Sequence, residues 1–175
     1  MCIRDRYNKP IGQVCTSKDA DPDSIFRYVE FPERVNYVGR LDKDSTGLLL
    51  LTNDGDLANE IQRSRNNHEK EYHVRVNTDI TEDFIKKMSE GVEILDTVTK
   101  PCKVKKTGTR NFSIILTQGL NRQIRRMCDA LHVRVVHLKR VRIMNIRLGS
   151  LRPGEFRTLT RDEEQELRRL VQKRS

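Results

Sequence analysis

Residues 39–55 read GRLDKDSTGLLLLTNDG, in which a polar stretch leads into the longest apolar run of the chain. Asp42 lies in a run of polar and small residues between two segments of strand-like composition, residues 37–38 and 47–52. A carboxylate on such a loop can be held exposed in a cleft by a rigid scaffold, as catalytic groups often are. Asp, Ser and Gly also form turns through local hydrogen bonds, so a turn residue is the alternative. The pattern alone leaves both roles open for Asp42.

Three ordered motifs together resemble one enzyme family. Residues 39–55 are similar to the signature of the ribosomal pseudouridine synthases of the RsuA, RluB, RluE and RluF type. Residues 69–72, EKEY, resemble the second motif of this family, and residues 119–127, GLNRQIRRM, resemble the third. The resemblance runs from about Asn8 to about Leu170 and is nearest to the F branch, whose members modify large-subunit rRNA.

The resemblance implies an isomerase that converts a uridine of 23S rRNA to pseudouridine, with a tRNA anticodon loop as a second candidate substrate. This reaction breaks the N1 glycosidic bond, turns the uracil and rejoins it through C5, so no metal or cofactor is expected. The implied catalytic residues are Asp42 beside C1′, Tyr72 against the base, and Arg125 paired with the Asp42 carboxylate. By its strand pattern alone, Tyr72 could also be a core aromatic residue. The residues fit either a covalent role for Asp42 or a role as a base leading to a glycal.

The chain is basic, with 34 Lys and Arg against 25 Asp and Glu, a net charge of +9 and a pI of about 9.6. Such a surface binds polyanions because phosphate contacts release condensed counterions. Residues 134–147 alternate basic and apolar side chains, which predicts a strand with one basic face, although a solvated strand edge is the alternative. The residues predicted to bind RNA, from the resemblance and from this pattern, are Lys9, Arg40, Arg122, Arg126, Lys139, Arg140 and Arg142. Surface roles remain open for Arg122 and Arg126.

Strand patterns with interspersed helices and no regular β-α-β alternation predict an α+β fold around a largely antiparallel sheet. Within residues 122–131, apolar side chains recur at helical spacing, which predicts a helix packed on that sheet. A capping box at residues 160–163 predicts the start of a closing helix. The resemblance adds the pseudouridine synthase catalytic fold, with two subdomains around a basic cleft.

The first six residues are polar where the family usually has an apolar strand. We therefore expect residues 1–6 to lie outside the native fold and residues 7–175 to form the catalytic domain, without the S4-type RNA-binding domain common in relatives. Cysteine and histidine spacings predict neither a metal site nor a disulfide framework. The longest apolar run, residues 48–51, is far too short to span a membrane, and we expect a cytoplasmic monomer.

Two other functional classes share part of this pattern with the isomerase. A ribosome-associated RNA-binding module without catalysis would share the basic charge, but it would not need a carboxylate facing a phosphate-rich partner. A nucleoside hydrolase would share the glycosidic chemistry, but it would not need so basic a surface. The combination of Asp42, Tyr72 and Arg125 favours the isomerase.

Overall fold

A computed structural model describes residues 4–16, 20–63 and 68–172 of the chain. Its elements, in chain order, are β1 (Arg4–Lys9), a 3-10 helix (Ile25–Arg27), β2 (Asn36–Val38), β3 (Thr46–Thr52), α1 (Gly55–Gln62), β4 (Lys70–Val76), α2 (Glu82–Glu90), β5 (Glu93–Ile94), β6 (Thr97–Val98), β7 (Lys103–Gly108), β8 (Asn111–Leu116), α3 (Gln123–Ala130), β9 (Val135–Ile143), β10 (Ile146–Arg147), β11 (Phe156–Thr158) and α4 (Arg161–Gln172). Within these ranges, no helix has the length and apolar character that a membrane span requires.

The strands build one mixed sheet in the order β11-β1-β3-β9-β4-β8-β7. The β3–β9 pair is parallel, and the other neighbours along this path are antiparallel. β2 pairs with β3 and β10 with β9, while β5 and β6 form a small separate hairpin. The predicted α+β fold with a largely antiparallel sheet flanked by helices is confirmed. The parallel pair divides the sheet into two halves, one with β11, β1 and β3 and the other with β9, β4, β8 and β7.

β3 is apolar throughout because both of its faces are covered. Leu48 and Leu50 pack into a cluster with side chains of α1 and α4. Leu49 and Leu51 point the other way and pack with Tyr7 and the region of the 3-10 helix. Successive strand residues face opposite sides of a sheet, so a strand buried on both sides reads as a continuous apolar run.

The second half of the sheet is covered by α2 and α3. Val74 and Ile114, from the centre of β4 and β8, are buried against Met88 of α2 and Met127 of α3. The helix predicted over residues 122–131 is confirmed, since its apolar stripe forms part of this core.

The capping box of α4 is also formed. The Thr160 amide donates to Glu163 Oε1 at 3.0 Å, and the Glu163 amide donates to Thr160 Oγ1 at 3.1 Å. These two bonds satisfy amides at the start of the helix that have no partner within it, as the sequence predicted.

β1 begins at Arg4, ahead of the predicted start of the fold. Residues 4–6 form ladder pairs with β3, and Arg6 also makes an ion pair with Glu163 of α4 at 2.7 Å. Basic residues are accommodated in this strand because acidic side chains of α4 form ion pairs with them. The prediction that the fold excludes residues 1–6 is therefore wrong for residues 4–6, and Met1, Cys2 and Ile3 lie outside the described residues.

Candidate active site

A cleft of about 560 Å³ opens where the two halves of the sheet diverge. β9 pairs with the start of β3 at residues 46–47, whereas β2 pairs with its end at residues 50–52. The segment that joins β2 to β3, residues 39–45, crosses this gap. Asp42 and Tyr72 both line the cleft, so the fold brings together two residues that are 30 positions apart in the chain.

Asp42 lies in a turn and faces the cleft at the same time. The Ser45 amide donates to the Asp42 carbonyl at 3.0 Å, which closes the turn through the backbone. The Asp42 side chain is 37% exposed and lines the cleft. The two roles that the sequence left open are therefore compatible, because the backbone makes the turn and leaves the carboxylate available.

Two buried cations hold the Asp42 segment from beneath. Lys9 Nζ donates to the Ser45 carbonyl at 2.7 Å. Arg140 donates from Nε to the Leu48 carbonyl at 2.8 Å and from Nη2 to the Gly39 carbonyl at 2.7 Å. Lys9 is 0% exposed and Arg140 is 2% exposed. The predicted RNA contacts of these two residues are therefore wrong, because their side chains are buried and bonded to backbone carbonyls.

Burial also alters the protonation of Lys9. It lowers the pKa of the Lys9 ammonium, while the negative charges of Asp44 and Asp42 act in the opposite direction. The free-energy cost of burying this ammonium is consistent with a structural role. The ammonium satisfies carbonyls that would otherwise be unpaired where the loop meets the sheet.

Gly47 permits the close approach of β3 and β9. Its φ is +110°, and a Cβ at this position would lie 2.2 Å from the Arg140 carbonyl oxygen. Only a residue without a Cβ fits such a contact. The glycine after the Asp42 loop therefore brings Arg140 beneath that loop.

Arg122, at the start of α3, is the arginine next to Asp42. Its Nη1 lies 3.4 Å from Asp42 Oδ2, and its two terminal nitrogens bind Asp44 at 3.0 and 2.9 Å. Arg122 has left-handed backbone geometry, with φ at 49°, which turns the chain from the preceding loop into α3. The hydrogen bond from Arg122 lowers the pKa of Asp44 and raises the pKa of Arg122 itself.

Arg125 lies one turn further along α3 and contacts a neighbouring part of the loop. Its Nη2 donates to the Asp44 carbonyl at 2.9 Å and to Ser45 Oγ at 3.3 Å. Among the described residues, the guanidinium within 4.0 Å of the Asp42 carboxylate belongs to Arg122. The predicted Asp42–Arg125 pair is therefore wrong, because Arg125 is held by the loop instead.

Three predicted RNA-binding residues differ in accessibility. Arg40 is exposed and lines the cleft. Arg126 is exposed but bonds Asn121 at its carbonyl and at Oδ1, 2.9 and 3.0 Å away. Lys139 is half-buried and directly precedes Arg140 in β9, so it points to the opposite face of the sheet. Of these three, Arg40 is the best placed to meet a ligand in the cleft.

β9 does not carry one continuous basic face. It has an extra residue, Val141, opposite β4, so Arg140 is paired with Tyr72 while Arg142 is directed to the other face. There Arg142 Nη2 lies 3.2 Å from Glu69 Oε2, and its side chain is 12% exposed. The prediction of one basic face is wrong because this bulge changes the alternation of side chains along β9. Arg142, which was predicted to bind RNA phosphate, instead forms an ion pair with Glu69.

Lys70 also lines the cleft, although it was not among the site residues predicted from the sequence. It is half-buried in the cleft and lies two residues before Tyr72 in β4, hence on the same face. Burial lowers the pKa of its ammonium to about 8, and the positive charge of Arg140 acts in the same direction. The alternation of residues 70–76 was the signal that could have identified it. In the described ranges, no group of His, Cys, Asp or Glu is arranged to hold a metal ion.

Comparisons with known proteins place this geometry in a family. The model described as RNA pseudouridylate synthase matches residues 6–130. The dual-specificity RNA pseudouridine synthase RluF of Escherichia coli K12 is 54% identical over 168 residues, which are 96% of this chain and 58% of that protein. The ribosomal large subunit pseudouridine synthase B of Bacillus subtilis is 32% identical over 171 residues, which are 93% of this chain and 70% of that protein.

A solved structure agrees with both sequence comparisons. A crystal structure of a pseudouridylate synthase superposes with a TM-score of 0.88 at 32% identity, covering 97% of this chain and 74% of that one. The chain thus spans 58% of the length of the E. coli RluF relative, and the resemblance inferred from the three motifs is confirmed. These comparisons, together with the Asp42 cleft, establish that the chain belongs to the RNA pseudouridylate synthase family.

Proposed function

We propose that this protein isomerises a specific uridine of 23S rRNA to pseudouridine, and that a tRNA anticodon loop is a second substrate. The observation that carries the proposal is the half-exposed Asp42 carboxylate in a cleft shared with Tyr72 and Arg122. The relatives named as dual-specificity RNA and ribosomal large subunit synthases support the choice of substrates. The net charge of +9 supports binding to a polyanion.

The reaction conserves atoms and electrons. The C1′–N1 bond breaks and its electron pair leaves with the uracil, so C1′ becomes electron-deficient. The uracil then turns, C5 bonds to C1′, a proton leaves C5, and N1 gains a proton. A carboxylate beside C1′ can stabilise the electron-deficient sugar, as carboxylates do in glycosidases. We assign this role to Asp42.

Arg122 and Tyr72 complete the proposed catalytic group. Arg122 Nη1 lies 3.4 Å from Asp42 Oδ2, so a positive charge sits beside the carboxylate and can hold it in one orientation. The Tyr72 ring lies against the target base, with its hydroxyl near the protons that move after C5 has bonded. Arg125 acts indirectly, because its bonds to Asp44 and Ser45 hold the loop that carries Asp42.

Entry of the uridine requires that its base leave the RNA stack. Unstacking costs about a few kcal/mol, which enzymes that modify bases offset with contacts to the flipped nucleotide and its neighbours. Arg40 precedes Asp42 by two positions, is exposed and lines the cleft. We assign it to the space left by the flipped uridine. We also infer a monomer acting in the cytoplasm, where its RNA substrates are found.

The decisive experiment incubates the purified chain, and its Asp42→Asn variant, with 23S rRNA and with tRNA, followed by carbodiimide-dependent primer extension. We expect wild-type protein to produce a new stop at a uridine, and Asp42→Asn to lose at least about 4 kcal/mol of transition-state stabilisation while binding RNA nearly as well. RNA binding without any stop would favour the non-catalytic module. Release of free uracil would indicate a hydrolase.

The same mapping in cells with and without the gene identifies the natural site. A stop that disappears on deletion and returns with the wild-type gene, but not with Asp42→Asn, connects the chemistry to this chain. Near-normal turnover by Asp42→Asn would contradict the assigned mechanism.

A further inference from the structure

Two cationic side chains at the floor of the cleft have no carboxylate partner among the described residues. Arg140 donates from Nε to the Leu48 carbonyl and from Nη2 to the Gly39 carbonyl. The Lys70 ammonium makes no hydrogen bond or ion pair with any described group, although much of its side chain is covered. Partial burial of a cation without a partner carries a desolvation cost, and groups in such environments are concentrated at functional sites.

The position of Lys70 indicates what it would meet. Its neighbours across the sheet are Leu116 and Ile143, and both line the cleft beside it. Tyr72, on the same face of β4, lies where the proposed function puts the uracil ring. Apolar walls and an aromatic side chain suit a base better than a phosphate, which binds at solvated, multiply charged surfaces.

Other charges in the cleft leave this ammonium unneutralised. The charged or titratable groups that line the cleft with Lys70 are Arg40, Asp42, Tyr72, Arg122 and Arg140. Asp42, the carboxylate in this set, is next to Arg122 at 3.4 Å. The floor of the cleft is therefore positive, and it favours a ligand that becomes negative.

We propose that the Lys70 ammonium binds the detached uracil and stabilises the negative charge that it carries between cleavage and reattachment. This inference rests on the proposed function. When the C1′–N1 bond breaks, the electron pair left on N1 is delocalised onto the uracil carbonyl oxygens, and the ammonium donates a hydrogen bond to one of them. The charge disappears when C5 bonds to C1′, so Lys70 ends the cycle with the proton it began with. Donors placed where charge develops contribute strongly in a site that excludes water.

The test measures single-turnover isomerisation at saturating RNA for wild type, Lys70→Met and Lys70→Arg. Lys105→Met is the matched control, because it removes one positive charge from an exposed position on the edge strand β7. We expect Lys70→Met to be about 100-fold slower, as when one donor to a developing anion is removed. RNA affinity should stay within about twofold of wild type, since counterion release needs a phosphate contact. Lys105→Met should react at the wild-type rate.

The pH profile separates this role from a structural one. At subsaturating RNA, where the rate reports the free protein, the wild-type rate should fall as pH rises above about 8, the pKa of Lys70 without bound RNA. An arginine keeps its proton across this range, so the Lys70→Arg rate, whatever its absolute value, should not bend there. Titration of the RNA is common to both proteins and cancels in the comparison.

Several outcomes would overturn the inference. A Lys70→Met rate within threefold of wild type would do so, as would a Lys70→Arg profile that bends at the wild-type pH. A Lys70→Met defect confined to RNA affinity and its salt dependence would assign Lys70 to phosphate binding instead. Thermal unfolding identifies a misfolded Lys70→Met protein, in which case the Lys70→Arg profile decides. If wild-type protein modifies no RNA, the proposed function fails as well; if wild type is active and Lys70→Met is unaffected, this inference fails alone.

Discussion

Arg122 Nη1 lies 3.4 Å from Asp42 Oδ2 while the same guanidinium binds Asp44 through both terminal nitrogens. One arginine thus serves two carboxylates, and Asp44 determines where that arginine is held. Arg125, predicted to occupy this position, instead donates to the Asp44 carbonyl and lies 3.6 Å from the Asp44 carboxylate. Asp42 therefore depends on a connected set of ionic contacts and not on one isolated pair.

Arg122→Met should lower kcat by about 10- to 100-fold, because the Asp42 carboxylate loses its neighbouring cation. Combined with Asp42→Asn, it should be scarcely worse than Asp42→Asn alone, since residues that act as a unit are not additive. Single-turnover kinetics of wild type, the two single variants and the double variant form a double-mutant cycle. Fully additive losses would show that Arg122 acts independently of Asp42, for example on phosphate.

Arg40→Ala should weaken the salt dependence of RNA binding. If Arg40 makes one phosphate contact, the slope of log K against log salt should decrease by about 0.7 to 0.9. Filter binding at several salt concentrations measures this slope. Arg169→Ala is the control, because Arg169 is paired with Glu166 on the exposed side of α4 and should leave the slope unchanged. Equal slopes for wild type and Arg40→Ala would exclude a phosphate contact by Arg40.

Gly47→Ala should strongly destabilise the fold. Positive φ costs a non-glycine residue about 1–3 kcal/mol, and overpacking adds a similar amount. The added Cβ would lie 2.2 Å from the Arg140 carbonyl oxygen. Urea denaturation should show a lower midpoint and, because the Asp42 loop is attached here, lower activity in the folded fraction.

Gly55→Ala is the control for this change. Gly55 opens α1, and a Cβ there meets nothing within 4 Å. Alanine should leave stability unchanged or raise it by about 0.4–1 kcal/mol, because it restricts the unfolded chain. Equal destabilisation by both substitutions would contradict the close packing inferred at Gly47.

Asp54 should contribute to stability through a helix cap and through ion pairs, which can be separated. Its carboxylate accepts from the Leu57 amide at 3.1 Å as the cap of α1, and it pairs with Arg168 of α4 at 2.8 Å and with Arg4 of β1 at 3.5 Å. Asp54→Asn keeps the cap and removes the charge, so it should cost about 0.5 kcal/mol, whereas Asp54→Ala should cost about 1 kcal/mol more. Thermal or urea unfolding of the two variants distinguishes these effects.

The ionic contribution of Asp54 should depend on pH. The hydrogen bond from Arg168 lowers the pKa of Asp54 below its ordinary value of 3.8. A carboxylate with a lowered folded pKa stabilises the protein above its unfolded pKa and loses that contribution as pH falls through the folded value. The difference in unfolding free energy between wild type and Asp54→Asn should therefore be constant near neutral pH and shrink below about pH 4. A difference that grew with acid would contradict the assigned direction.

The sequence by itself determined the local features and the family. The apolar run of β3, the stripe of α3 and the α4 cap depend on residues a few positions apart, so their spacing predicts them. The position of Asp42 on a loop between strands followed from the same kind of pattern. The three motifs identified the family because each joins residue types that the same chemistry requires.

Only the tertiary structure decided which cations reach the site. Lys9 and Arg140 are buried beneath the loop, Val141 turns Arg142 away from Arg140, and Arg122 takes the place next to Asp42. Each of these outcomes depends on strand register and on contacts between segments far apart in the chain. Sequence spacing carries no information on such contacts, because a one-residue bulge or one left-handed residue redirects a side chain without changing the local pattern.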